Sequence, residues 1–301
     1  MKRIGIIGVG LLGSAVASRL LKGGFEVKGY DTRPEQIKAL QAQGLIATGS
    51  IAEVAAGADT IFTILPSLDS VEKTILGKDG LIEVAPPNAT LIQMSTISPK
   101  LTRRIAKAAA AKRLGFLDAP MSGTSAMVEC GDCTIFVGGD HARADACAPI
   151  FDAIAKKTLY VGDVGMATLA KLATNLLVGL NTAALAEALV LGAKGGLAPD
   201  VLLDILKESA AASKMVDVRG PLMVSRRFDA QMKIDLFLKD FKLMLEEGQH
   251  LGVPLPLTSI TQQLATATAA AGRGEEDLAA IITTLELLAG LEHDRPSVKK
   301  K

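Results

Sequence analysis

The opening residues of this 301-residue chain constrain its fold more than any other segment. Residues 3–8 (Arg-Ile-Gly-Ile-Ile-Gly) form a short apolar run, as expected of a parallel strand buried on both faces. Gly8-Val9-Gly10-Leu11-Leu12-Gly13 follows, then helix-forming sequence through Lys22, and Gly23-Gly24 ends that helix. Residues 25–30 alternate as a second strand that stops at Asp31. Strand, glycine turn, helix and strand make a βαβ unit, which requires a parallel sheet with the helix laid across it. Gly8 permits the tight turn, Gly10 admits a pyrophosphate to the backbone, and Gly13 lets the helix pack close on the strand. The helix N-terminus offers free N–H groups and positive dipole to phosphate. Asp31 lies 18 residues beyond Gly13, close to the roughly 20 expected of a ribose-binding acid. The spacing predicts a dinucleotide site in which Gly8, Val9, Gly10, Leu11, Leu12 and Gly13 meet the pyrophosphate and Asp31 and Thr32 the adenosine ribose. The plainer alternative is a glycine-rich turn in an α/β protein that binds nothing. A carboxylate at Asp31 favours NAD, whereas Arg33 could hold a 2′-phosphate; NAD is expected as the preferred cofactor, with NADP possible.

The α/β alternation continues. Helices are expected over 34–43, 48–56, 70–76 and 100–112, and strands over 60–65, 90–94, 116–119 and 133–137. This is the pattern of a doubly wound parallel sheet, whose ligands gather at the carboxyl ends of the strands. Gly10, Asp31, Pro66, Thr96 and Ser122 all follow strand ends. Beyond Tyr160 the strand signal stops. Residues 165–194 are continuously helix-forming; about 30 residues span about 45 Å, too long for a small domain's interior, so this helix is expected to run between domains. Further helices are expected over 199–209, 233–251, 256–271 and 275–289, separated by Pro and Gly, with Gly220 and Pro221 read as breakers. The predicted organisation is a dinucleotide-binding domain over 1–162, an all-helical domain over 163–292 and a polar tail over 293–301.

Composition narrows the function. A net charge of +1 lacks the footprint of a nucleic-acid binder, and two Tyr, eight Phe and no Trp leave few rings for stacking bases. Three Cys form no disulfide framework and point to a reducing cytoplasm. Three scattered His make a metal site unexpected. Lys2 and Arg3 before an apolar run imitate a secretory signal, but Gly5, Gly8, Gly10 and Gly13 interrupt it. No uninterrupted apolar run reaches about 20 residues, so no membrane span is expected. The Ala- and Leu-rich helical half predicts a homo-oligomer, dimer or tetramer, with plain helical core as the alternative.

Lys171 stands inside an apolar helix, Leu169-Ala170-Lys171-Leu172-Ala173, and Asn175 follows one turn later on the same face. The functional reading is a partly desolvated general acid/base, its pKa lowered by burial, beside an orienting amide; the plain one is a snorkelling lysine. Ser122-Gly123-Thr124 can receive a carboxylate on adjacent N–H groups and hydroxyls, or be an ordinary turn. Lys239-Asp240 is surface charge by default. Cys130-Gly131-Asp132-Cys133 is formally a CxxC motif, but without a helix behind Cys133 a redox role is not expected.

Taken together these residues resemble the β-hydroxyacid dehydrogenase family, which includes 3-hydroxyisobutyrate dehydrogenase and tartronate semialdehyde reductase. The landmarks stand in order over nearly the whole chain: Ile6 through Gly13, Leu65-Pro66, Ser95-Thr96-Ile97-Ser98-Pro99, Asp118-Ala119-Pro120-Met121-Ser122-Gly123, Gly138-Gly139, Lys171 through Asn175, and Lys239-Asp240. The resemblance implies a Rossmann-type α/β domain followed by an all-α domain, joined by a long interdomain helix. It implies hydride transfer between NAD(P) and a short β-hydroxyacid or its semialdehyde or keto partner. Lys171 matches the catalytic lysine, Asn175 the amide that orders lysine and substrate, and Ser122, Gly123 and Thr124 the carboxylate loop. Leu65, Pro66, Thr96 and Lys239 match the cofactor edge, supported by Asp240. Thr124 replaces a second glycine and Gln93 an acid, which bears on substrate identity. Two rival readings are a non-catalytic NAD-binding regulatory or scaffold protein and an imine reductase, which generally lacks the lysine.

Overall fold

The computed structural model describes residues 2–291. The chain divides into two compact units, Met1–Thr174 and Asn175–Lys301. The expected tail over 293–301 lies outside the described residues.

The first unit holds a nine-stranded sheet. Its elements run β1 (Arg3–Ile7), α1 (Leu11–Lys22), β2 (Glu26–Tyr30), α2 (Glu35–Gln41), β3 (Ile46–Ala47), α3 (Ile51–Ala55), β4 (Thr60–Thr63), α4 (Leu68–Leu76), α5 (Leu81–Val84), β5 (Thr90–Gln93) and α6 (Pro99–Ala111). They continue with β6 (Gly115–Asp118), β7 (Met121–Ser122), α7 (Ser125–Glu129), β8 (Thr134–Gly139), α8 (His141–Ile154) and β9 (Lys157–Gly162). Spatial order is β3-β2-β1-β4-β5-β6-β8-β7, with β9 also paired to β8. The strands from β3 to β6 are parallel, and successive strands are added to one side of β1 up to β3 and to its other side from β4 onward. That switch point is where an open α/β sheet has its ligand crevice.

The expected doubly wound parallel sheet is present from β3 to β6, and its far edge is mixed. β8 runs antiparallel to both β6 and β7. β7 continues in the direction of β6 after only Ala119 and Pro120, and the segment from Gly123 to Cys133, with the short helix α7 (Ser125–Glu129), is shorter than the dozen or more residues of a parallel crossover, so the chain returns antiparallel as β8. Because strand side chains alternate, Ile4 and Ile6 join one buried cluster with α1 and α8, while Ile7 joins a second beneath α3 to α6. The helical layers therefore cover both faces, and only strand ends remain for ligands.

Helix α9 (Met166–Lys194) contains 29 residues. By length and composition alone it could cross a membrane, which qualifies the expectation drawn from uninterrupted apolar runs. It also carries Lys171, Asn175, Asn181 and Glu187. The second unit continues with α10 (Pro199–Glu208), α11 (Lys214–Ser225), α12 (Ile234–Leu251), α13 (Pro256–Thr268) and α14 (Ile281–Leu288). A π-helical turn, Ala269–Arg273, and a 3-10 turn, Leu278–Ala280, bridge α13 to α14. Gly220-Pro221 does not break the chain into separate helices but lies within α11. A Cβ at Gly220 would stand 2.3 Å from Leu203 Cδ1, so glycine is there for the close approach of α10 and α11. One buried ion pair ties this unit together: Arg219 Nε lies 3.2 Å from Asp277 Oδ1, and Asp277 also accepts the N–H groups of Gln231, Met232 and Ala279.

Candidate active site

The glycine turn after β1 is built by backbone geometry. Gly8 adopts φ +90°, a left-handed conformation costly for other residues. Its N–H donates to Tyr30 O at 2.9 Å, and the next N–H, of Val9, donates to Asp31 Oδ2 at 2.9 Å. A Cβ at Gly13 would stand 2.0 Å from Gly8 O, so α1 touches the turn more closely than any side chain permits. Gly10 caps α1 without a side chain, and the first helical bond runs from Ser14 N–H to Gly10 O at 2.8 Å. The N–H groups of Leu11, Leu12 and Gly13 thus have no acceptor within the helix. Uncapped donors, the dipole of a 12-residue helix and a passage no side chain obstructs together fit a dinucleotide pyrophosphate. Asp31 Oδ1 accepts the N–H of Arg33 at 2.9 Å, and Arg33 Nε lies 3.4 Å from the same oxygen. The Arg33 guanidinium also lies 3.4 Å from where a Gly10 Cβ would stand. A cation and a carboxylate therefore share this edge, and Thr32 beside them is exposed.

Next along the crevice, Leu65-Pro66 and Ser95-Thr96 follow the carboxyl ends of β4 and β5. Leu65 N–H donates to Ser95 Oγ at 2.8 Å, tying the two turns together. Gln93, wholly buried, grips Ser95 from both sides: Nε2 donates to Ser95 O at 2.9 Å and Oε1 accepts the Ser95 N–H. In the sequence Gln93 is only a departure from a family pattern. The structure shows an amide where both a donor and an acceptor are needed, which an ionised carboxylate cannot supply.

Ser122 is not in a turn, as the sequence suggested, but ends β7, paired with Thr134 on β8. Gly123 follows at φ +149°. Thr124 caps α7, its hydroxyl oxygen accepting the N–H of Met127 at 3.3 Å. This capping task, invisible in the motif alone, explains why a hydroxyl residue suits that place. Lys171 stands half-buried on α9, next to buried Leu172. The CxxC pair divides: Cys130 is exposed, whereas Cys133 is buried, and burial pushes its thiol pKa up. Neither sits at a helix N-terminus, and both are free thiols.

In the second unit Asn175, Lys239 and Asp240 form one cluster across 65 residues of sequence. Asn175 Nδ2 donates to Asp240 Oδ2 at 2.8 Å, with both residues buried. Asp240 Oδ1 has no well-aligned hydrogen bond but lies 2.8 Å from Lys239 Nζ. The carboxylate thereby fixes which face of the Asn175 amide is spent on support. Among the described residues no group of His, Cys, Asp or Glu is arranged to hold a metal ion.

Residues 3–162 match the family model described as the NAD binding domain of 6-phosphogluconate dehydrogenase. Residues 165–285 match that described as NAD-binding of NADP-dependent 3-hydroxyisobutyrate dehydrogenase. The chain is 37% identical to 2-(hydroxymethyl)glutarate dehydrogenase of Eubacterium barkeri, over 96% of both chains. It superposes on the crystal structure of 3-hydroxyisobutyrate dehydrogenase from Salmonella typhimurium with a TM-score of 0.86 and 30% identity, covering 94% of this chain and 99% of the other. An imine reductase from Myxococcus stipitatus is more distant, at TM-score 0.65 and 16% identity over 95% and 99% of the two chains, and shares the fold alone. Matched over both halves and along almost its whole length, the chain belongs to the β-hydroxyacid dehydrogenase family and is an oxidoreductase with NAD(P)-binding domains.

Proposed function

We propose that this enzyme interconverts a short 2-(hydroxymethyl) carboxylic acid and its semialdehyde, with Lys171 as the proton-transfer group and NAD as the preferred cofactor. The observation that carries the reading is the pairing of an uncapped, glycine-lined turn for the dinucleotide with a lysine and a supported amide one helical turn apart on α9. The names of two relatives set the substrate class. 2-(Hydroxymethyl)glutarate and 3-hydroxyisobutyrate share a primary alcohol on the carbon next to a carboxylate and differ in the remaining substituent.

When bound, NAD(P) accepts hydride from the carbinol carbon or, reduced, returns it. The other tasks fall to this chain. In oxidation the neutral Lys171 amine takes the hydroxyl proton as the carbonyl forms; in reduction its ammonium donates that proton back. The Ser122 hydroxyl and the N–H groups of Gly123 and Thr124 receive the carboxylate. Asn175, held by Asp240, presents its remaining amide surface to lysine and substrate. Thr96, Leu65 and Pro66 line the nicotinamide end, while Asp31 receives the ribose hydroxyls.

Exposed apolar side chains on α13, Leu257 and Ile260 among them, support a homo-oligomer. Three free thiols accord with a reducing cytoplasm. The test is a panel of 2-(hydroxymethyl) acids, 2-hydroxy acids and cyclic imines, read by NADH absorbance at matched concentrations. Turnover led by the 2-(hydroxymethyl) acids is expected; turnover of imines alone, or of none, would overturn the reading.

A further inference from the structure

Asp118 ends β6, is entirely buried, and has no part in the chemistry above. Its donors are neutral. Gly165 N–H reaches both carboxylate oxygens at 3.2 Å, and Oδ2 also accepts the Thr168 N–H at 2.9 Å and the Thr168 hydroxyl at 3.1 Å. Burial pushes its pKa up, while these hydrogen bonds pull it down. A carboxylate buried without a paired cation is costly, and it persists where its geometry is needed. All of these donors belong to the entry and first turn of α9, whose dipole also favours the negative charge. Space around the carboxylate is closed: a Cβ at Gly138 would stand 2.7 Å from Oδ1.

Thr168 lies three residues before Lys171, on adjoining helical surface. Asp118 lies four residues before Ser122, across a connection stiffened by Pro120. The chain of contacts extends the other way as well. Thr168 Oγ1 is 3.1 Å from Thr102 Oγ1 on α6, and both threonines are buried. Thr102 Oγ1 is also 3.1 Å from Ser98 O, two residues beyond Thr96. One network thus ties together the helix of the lysine, the strand leading into the carboxylate loop and the turn at the cofactor edge.

We propose that Asp118, Thr168 and Thr102 are positioning residues that hold Lys171 in register with the Ser122 loop, acting on turnover through the lysine alone. The proposal rests on the reading of Lys171 as the proton-transfer group. The bonds of the network go to none of the residues of the Gly8–Gly13 turn or to Asp31, so the proposed pyrophosphate and ribose contacts, which would carry most of the NAD affinity, do not depend on it.

The test compares Thr168→Val and Thr168→Ser, each alone and in a Lys171→Ala background. Valine keeps volume and backbone N–H but deletes both hydroxyl contacts; serine restores the hydroxyl. Misplacement of a reacting group by about 1 Å costs up to about a hundredfold, so Thr168→Val should lower kcat roughly tenfold or more. NAD affinity should stay within about twofold, and Thr168→Ser should recover most of the rate. In the Lys171→Ala enzyme the valine should cost less than about twofold further, because a residue acting through lysine has nothing left to position. An equal loss in both backgrounds would overturn the proposal, as would wild-type kcat in folded Thr168→Val. Thr102→Val breaks the network from α6 and leaves the Asp118 bonds to α9 intact. It should show a smaller loss that vanishes with Lys171→Ala, and a loss that persists would count against the proposal. If Lys171→Ala alone retains tens of per cent of kcat, the lysine reading fails first and takes this one with it.

Discussion

Replacing Asp31 by Ser separates cofactor selection from scaffolding at the ribose edge. The carboxylate has two visible tasks in the protein itself, accepting Val9 N–H at 2.9 Å and Arg33 N–H at 2.9 Å. Its proposed third task is to accept the ribose hydroxyls. A hydrogen bond to a charged group contributes about 1.5–3 kcal/mol, so losing it should lower kcat/KM for NAD by about 10- to 150-fold. For NADP two terms oppose each other. A carboxylate about 5 Å from a doubly charged phosphate costs about 1.7 kcal/mol even at the dielectric of water. Arg33, 58% exposed and 3.4 Å from Asp31, offsets part of this. The wild-type preference for NAD should therefore be moderate, at least about tenfold, not absolute. Asp31→Ser should cut NAD sharply and leave NADP level or improved. Steady-state kinetics with both cofactors read the result. A parallel fall in NAD and NADP would refute the reasoning, because it would mean that Asp31 merely holds the Val9 turn.

Gly13→Ala places a Cβ 2.0 Å from Gly8 O, a backbone atom that cannot swing away. NADH binding, followed by fluorescence, should weaken at least about tenfold, with overpacking costing about 1–3 kcal/mol in thermal unfolding. Arg219→Ala strands Asp277 in the second unit with only its N–H donors. Calorimetry should show a loss of about 3 kcal/mol, the low end for breaking a buried pair, while an unchanged Tm would contradict the assignment. Of the three cysteines only Cys130 is exposed, and burial raises the pKa of Cys133 and Cys147. Native protein should therefore titrate one thiol quickly with a disulfide reagent and three after denaturation.

What could be read before the structure was whatever has a strong local cause. The βαβ turn follows from glycine spacing, and the long helix α9 from an unbroken run free of Gly and Pro pairs. Reading failed where a local signal had a tertiary cause. Gly220-Pro221 looks like a break but serves the packing of α11 against Leu203. Strand β9 and helix α8, with Pro149 inside it, gave no clear period and were not anticipated. The antiparallel return of β8 depends on the short segment between Ser122 and Thr134, whose consequence appears only when β8 pairs with both β6 and β7. The site divides in the same way. Lys171 and Asn175 show themselves as polar residues on an apolar helix, and Asp31 by its distance from the turn. The partners that hold them are far away in sequence: Asp240 lies 65 residues from Asn175, and Asp118 50 residues from Thr168. Spacing within one helix carries no trace of such pairs. Gln93 is the instructive case, since its departure from pattern marks a structural amide gripping Ser95.

The central claim is that Lys171 moves the proton, and Lys171→Ala measured against wild type tests it most directly. With the best 2-(hydroxymethyl) acid of the panel, kcat should fall by about 10²–10⁴, the usual worth of general acid–base assistance. The dissociation constant for NAD should stay within about twofold, because the pyrophosphate and ribose contacts are proposed for the Gly8–Gly13 turn and Asp31. Lys171→Arg should not rescue, since guanidinium cannot give up its proton near neutral pH. In the wild type, oxidation should quicken as pH rises and the amine becomes neutral, and that dependence should vanish with the lysine. A Lys171→Ala enzyme that keeps tens of per cent of kcat with the wild-type pH profile would contradict the account and leave Lys171 as a snorkelling lysine on α9.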